Sequence, residues 1–205
     1  DGLPVIAYIG NPSGPSPNSQ LNVLHCNDIP CTTFTVNNIS SNLEGGRYVS
    51  MVIGGDGNPV VAYATFSQST TSSIIYVVKC TDILCSATLN PVVIENNLDA
   101  NLYTALIIGS DGNPFLVYSG KDTGDNNVLS IAACPDPACA SYSPADNFDI
   151  PAIDLGSHNA VALGVDGYPS IITFGRINPR YLYFVHCLSL SCTSYEGPFT
   201  LDQGS

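Results

Sequence analysis

The tetrapeptide Asp-Gly-Asn-Pro and its near copies recur at one interval and set the register of the whole chain. Copies begin at positions 1, 56, 111 and 166, each 55 residues from the last: Asp1-Gly2-Leu3-Pro4, Asp56-Gly57-Asn58-Pro59, Asp111-Gly112-Asn113-Pro114 and Asp166-Gly167-Tyr168-Pro169. A fixed period of this length marks a repeat array such as a propeller. Apolar runs precede three of the copies, at 48–53, 103–108 and 160–163, and follow all four, at 5–9, 60–63, 115–118 and 170–174. Two β-rich runs joined by Asp-Gly and then Pro predict a tight hairpin. Glycine tolerates positive φ, and proline, which has no amide donor, suits the first position of the returning strand. Asp1, Gly2, Asp56, Gly57, Asp111, Gly112, Asp166 and Gly167 are therefore read as turn residues rather than as metal ligands or catalytic acids.

The cysteines keep the same period. All eight fall into four pairs of identical C-x4-C spacing, Cys26/Cys31, Cys80/Cys85, Cys134/Cys139 and Cys187/Cys192. An even count tied to a repeat predicts local disulfides formed in an oxidising compartment. Zinc is the competing reading; it needs two pairs converging on one ion, and a repeat array holds its pairs apart. Histidine partners are also inconsistent, since His25 and His186 precede a cysteine where Lys79 and Ala133 stand in the other repeats.

Between these landmarks each unit reads as consecutive strands. Around the cysteine tips they are expected at 21–25 and 32–39, 74–78 and 88–94, 128–132 and 141–148, and 181–185 and 193–201. No segment carries a capped 3.6-residue amphipathic pattern, so the chain is expected to be almost free of helix. The predicted fold is all-β: a four-bladed β-propeller of four antiparallel repeats of about 55 residues, four strands each, one strand missing at the N-terminus. As one domain over 1–205, its repeats fall near 1–46, 47–101, 102–156 and 157–205. The small apolar strand before each Asp-Gly is expected to be innermost. The chain starts inside a repeat, as a mature, processed or partial chain would, and the absent strand would come from preceding residues or from a neighbouring copy.

In this order of apolar strand, Asp-Gly-Asn-Pro turn, strand ending in Tyr, strand and Cys-x-Asp-x-x-Cys tip, the unit resembles the tandem repeats of secreted bacterial propeller-like surface proteins. The resemblance spans the whole chain and implies an extracellular, non-enzymatic protein. The fourth repeat departs from it: Ser189 stands where Asp28, Asp82 and Asp136 stand in the other tips.

Composition narrows the function. The 17 acidic residues against 5 Lys and Arg give a formal net charge of -12, a poor match to nucleic acid or an anionic membrane. No apolar run reaches the roughly 20 residues of a membrane-spanning helix, so membrane insertion is not expected. The sequence has no G-x-S-x-G, H-E-x-x-H, P-loop or dinucleotide fingerprint, and no Trp on which a sugar could stack. Tyr8, Tyr63, Tyr118 and Phe174 end the same strand in each unit and read as packing residues. Asp122 and Asp125, with Asn126 and Asn127, are weak calcium candidates; Asn38 lies in the one N-x-S/T acceptor, a glycosylation candidate.

No cofactor and no metal are expected, and no enzymatic activity. The reading is a disulfide-stabilised extracellular structural protein of the cell surface or of a filament, partnered by copies of itself through head-to-tail packing or strand donation. The alternative is a lectin or adhesin whose loops bind glycans or surface proteins.

Overall fold

The computed structural model describes residues 1–10, 18–44, 47–67, 72–98, 103–121, 127–148, 157–175 and 180–203. Fifteen strands form four antiparallel sheets among these residues, one per repeat. The first sheet has three strands: β1 (Val5–Gly10), β2 (Asn18–Cys26) and β3 (Phe34–Glu44). The second orders β4 (Arg47–Ile53), β5 (Pro59–Ser67), β6 (Ser72–Lys79) and β7 (Val92–Leu98). The third holds β8 (Thr104–Ile108), β9 (Pro114–Lys121), β10 (Asn127–Ala133) and β11 (Ser143–Phe148), and the fourth β12 (Ser157–Leu163), β13 (Pro169–Phe174), β14 (Tyr181–Cys187) and β15 (Tyr195–Gln203). Every strand pairs with its sequence neighbour, the meander of a propeller blade. The fold is a four-bladed β-propeller, and no described residue is helical. Nor is any helix long and apolar enough to cross a membrane among the described residues.

The Asp-Gly turns behave as their residues require. Gly2, Gly57, Gly112 and Gly167 all have φ between 78° and 83°, where a side chain would be strained. In the second repeat Gly57 N donates to Gly54 O and Gly54 N to Asn58 O, both at 2.9 Å, closing a three-residue hairpin loop. Asp56 Oδ1 accepts the Asn58 amide at 3.1 Å, an Asx bond repeated by Asp1, Asp111 and Asp166. Pro59, Pro114 and Pro169 then open β5, β9 and β13.

In the second and third repeats the strand after the turn is the most buried one. All but the last residues of β5 and β9 are shielded from solvent. The strand before it, β4, β8 or β12, is an edge of its sheet. Several expected boundaries move: β3, β11 and β15 start at Phe34, Ser143 and Tyr195, not at 32, 141 and 193, and β7 starts at Val92, not at 88, because Thr88 makes an isolated bridge to Cys80 and Pro91 cannot donate to a ladder.

The chain divides into two compact units, Asp1–Ala100 and Asn101–Ser205, with two blades each. In the first, β1 lies against β4, and the fully buried Leu21 and Val23 of one blade share a core with Val61, Tyr63 and the Cys80–Cys85 pair of the other. In the second, β12 lies against β8 and β9, and Phe115, Leu129 and Ile131 share a core with Ile171, Val185 and the Cys187–Cys192 pair.

Candidate functional site

Four disulfides join the cysteines within each tip: Cys26–Cys31, Cys80–Cys85, Cys134–Cys139 and Cys187–Cys192. Such bonds fit folding in an oxidising, extracellular type of compartment. The second cysteine of each pair is left-handed, with φ between 55° and 57°, and the tip carboxylate holds the loop in that shape. Asp28 accepts from the amides and hydroxyls of Thr32 and Thr33; the Thr32 amide bond leads in lowering its pKa to about 2. Asp82 accepts from the amide and hydroxyl of Ser86, and Asp136 from the amides of Ala138 and Ala140. In the fourth tip Ser189 Oγ replaces the carboxylate and accepts the Thr193 amide at 3.2 Å.

The turn aspartates have a second task that the turn reading missed. The residue just before the first tip cysteine reaches back to them. His25 Nε2 lies 2.8 Å from Asp1 Oδ2, Lys79 Nζ 2.6 Å from Asp56 Oδ1, and His186 Nε2 2.8 Å from Asp166 Oδ2. For Asp56, burial raises the pKa, but the Lys79 bond and charge and the Asn58 amide outweigh it and hold the carboxyl below its usual range. For Asp166 the Tyr168 amide leads the lowering, aided by His186. The available signal was the basic residue at that place in three repeats; Ala133 is the exception.

Around Ala133 the second unit has a cavity of about 400 Å³, lined among others by Asp111, Phe115, Tyr168, Ser189, Leu190 and Ser191. The first unit has another, of about 370 Å³, lined by Ser40, Leu43, Tyr63, Thr65, Ser67, Ile74 and Tyr76. In it the Tyr63 and Tyr76 rings stack at 5.2 Å with 17° between their planes. Burial pushes the Tyr63 phenol up to about 12, so it stays a neutral hydroxyl at any physiological pH.

The heads of the neighbouring strands β8 and β12 are also joined. The rings of Tyr103 and His158, 55 positions apart, meet with their centroids 4.0 Å apart and their planes tilted by 30°. Asn159 Nδ2 donates to Tyr103 O at 3.2 Å, and Thr173 Oγ1 donates to Asn159 Oδ1 at 2.8 Å. His158 and its counterpart Tyr48 both have positive φ, 55° and 48°, a conformation that costs energy for such side chains and that the surrounding contacts must hold.

Of the four packing aromatics, Tyr63 and Tyr118 are buried, whereas Tyr8 and Phe174 are each 36% exposed. Asn38 is exposed, and its amide donates to Asn22 Oδ1 at 3.3 Å. Asp122 and Asp125 lie outside the described residues, as does Asn126. Among the described residues no group of three His, Cys, Asp or Glu side chains gathers as a metal site.

No protein-family model matches the chain, and no curated protein matches it in sequence. Solved structures do share its fold. A protein of unknown function from Dyadobacter fermentans superposes with a TM-score of 0.69 at 13% identity, over 95% of this chain and 64% of its own. A thermostable family-43 glycoside hydrolase gives 0.63 at 15% identity, over 99% and 74%. An α-L-arabinanase from Penicillium chrysogenum, complexed with arabinobiose, gives 0.63 at 14%, over 96% and 62%. The chain thus spans less than two thirds of the first and third of these.

These neighbours correct the expectation of a non-enzymatic structural protein, a filament subunit or, as the alternative, a lectin or adhesin. They equally overturn the expectation of no enzymatic activity. Repetition and disulfides point to an inert scaffold only if they are read as signs of function, and they are properties of the blade. Glycoside hydrolases are built on blades of the same kind, and a fold does not fix what its sites do.

Proposed function

We propose that this protein is a carbohydrate-active enzyme acting outside the cell, a glycoside hydrolase directed at an arabinan-type polysaccharide. The observation that carries the reading is the tyrosine pocket of the first unit. A sugar ring offers an apolar C–H face and a rim of hydroxyls; the half-buried ring of Tyr76, backed by the buried Tyr63 on which it stacks, suits the face, and the Ser40, Thr65 and Ser67 hydroxyls suit the rim. A cavity of about 370 Å³ has room for a short stretch of glycan. Its likeness in fold to glycoside hydrolases, one of them an arabinanase holding arabinobiose, supports the same direction.

The pocket lining has no carboxyl group. Its role is therefore to hold sugar. Cleavage of a glycosidic bond generally uses two carboxyl groups, roughly 5–10 Å apart, and the 17 Asp and Glu residues are where they are to be sought. The test is incubation of the purified, oxidised protein with arabinan, xylan and a β-glucan, products being read by mass spectrometry. Oligosaccharides from arabinan support the reading; none from any of the three polymers sinks it. If products form, single Asp and Glu substitutions then identify the two carboxyl groups.

A further inference from the structure

The four repeats offer an internal comparison at one position. The residue before the first tip cysteine is His25, Lys79, Ala133 or His186, and it faces the turn aspartate of its own repeat. In the second repeat the ammonium of Lys79 has two oxygen acceptors, Asp56 Oδ1 at 2.6 Å and the Asn58 carbonyl at 2.9 Å. Gly54 leaves room for it, since a Cβ there would stand 3.1 Å from Nζ.

The third repeat keeps this receptor. Asp111 Oδ1 is held by the Asn113 amide at 3.0 Å and Oδ2 by Asn113 Nδ2 at 3.2 Å. The Asn113 carbonyl is fixed by Gly109 N at 2.8 Å, the counterpart of the Gly54 bond to Asn58 O. Gly109 preserves the cradle, because a Cβ there would meet Asp111 Oδ1 at 2.7 Å. The cation alone has gone, for Ala133 ends at its Cβ. In its place is a cavity of about 400 Å³ with no Lys, Arg or His in its lining.

We propose that this pocket binds a primary ammonium group supplied by a ligand, docked on Asp111 Oδ1 and the Asn113 carbonyl as Lys79 docks on their counterparts. Three observations favour an ammonium over other guests. A compact ammonium has three donors and needs few, strong oxygen acceptors, which is what the second repeat shows working. A calcium ion would need six to eight oxygens, and the receptor aims two. The net charge of -12 adds a field that attracts cations. The walls define the body behind the amine: Phe115, Tyr168 and Leu190 present apolar surface, and Ser189 and Ser191 present hydroxyls. Either an amino sugar or a lysine side chain has that chemistry. The proposal is independent of the glycoside-hydrolase reading, which rests on the other unit.

The test is calorimetric or NMR titration of the oxidised full chain with glucosamine, with Nα-acetyl-lysine methylamide and, as a neutral control, with N-acetylglucosamine. Wild type is compared with A133K, which supplies the ammonium from within, and with D111N, which removes the carboxylate. Expected are saturable binding of at least one amine, at least tenfold weaker binding of the neutral sugar, and at least a tenfold loss in both variants. Preference between the two amines identifies the source, amino sugar or lysine. If neither amine binds saturably, or if A133K and D111N bind as wild type does, the proposal is overturned. Should A133K not fold, D111N alone decides, since it keeps the size and, through its Oδ1, the Asx bond from the Asn113 amide.

Discussion

Lys79 is buried, with its side chain 6% exposed, and its ammonium sits 2.6 Å from a carboxylate of Asp56 that is 45% exposed. The pair joins the end of β6 to the turn between β4 and β5, so one blade is tied across its own hairpin. Removing either partner has unequal consequences. Asp56→Asn leaves a buried ammonium with neutral oxygens as its acceptors and no counter-charge, and should cost about 1–2 kcal/mol, below the range for fully buried pairs because Asp56 is half exposed. Lys79→Met removes the charge with its stem retained and should cost less than about 1 kcal/mol. Urea denaturation of the two variants checks the order; an equal loss would mean that the ammonium is not penalised by burial.

Gly57 tests the turn by itself. Nothing lies within 4 Å of a Cβ placed there, while its φ is +82°. Gly57→Ala should therefore lose stability for conformational reasons alone, about 1–2 kcal/mol, with no change in the packing of β4 and β5. A loss below about 0.3 kcal/mol in the same urea assay would show that the turn relaxes to another shape.

Acid should unfold the protein over a defined window. The folded-state pKa of Asp28 is lowered to about 2, chiefly by the Thr32 amide, and those of Asp56, Asp82 and Asp166 are also lowered. A carboxyl with a lowered folded pKa stabilises fully above its unfolded value of 3.8 and loses that contribution as pH falls toward the folded value. Stability should thus be flat above about pH 5 and decline between about pH 4 and pH 2. Asp28→Asn should flatten part of that slope. Denaturation midpoints measured from pH 2 to 6 check both statements.

Each disulfide closes a loop with a sequence separation of 5, so its effect on the unfolded chain is small and local. Replacing Cys80 and Cys85 together by serine should cost about 2 kcal/mol on the chain-entropy view, plus the burial of two hydroxyls at residues that are each 1% exposed. The Cys26–Cys31 pair, whose second cysteine is less buried, should cost less. Thermal melting of the two double variants separates these costs.

Much of the fold was legible because its signals are backbone signals. Gly57 is glycine since the turn demands positive φ, Pro59 can open β5 since a strand's first residue can do without a donor, and C-x4-C recurs because every blade has the same tip. The candidate sites were less legible for a different reason. The role of Lys79 depends on a hairpin folding it back over Asp56, 23 residues away, and sequence adjacency to Cys80 hides that. The pocket at Asp111 is made by what Ala133 lacks, and a missing side chain has no motif. Tyr63 and Tyr76 meet through the β5–β6 register, in which they are direct partners; a list of strand-ending tyrosines contained the first but not the second. The inference of a scaffold failed because it drew function from features of the blade.

The account stands most directly on one kinetic comparison, wild type against Tyr76→Ala on arabinan. If Tyr76 holds sugar, losing its ring should remove about 0.5–1.5 kcal/mol of binding, raising KM roughly twofold to tenfold with kcat little changed. Wild type that releases no oligosaccharide, or a Tyr76→Ala variant with unchanged KM, would contradict a glycan-cleaving enzyme that grips its substrate at this pocket.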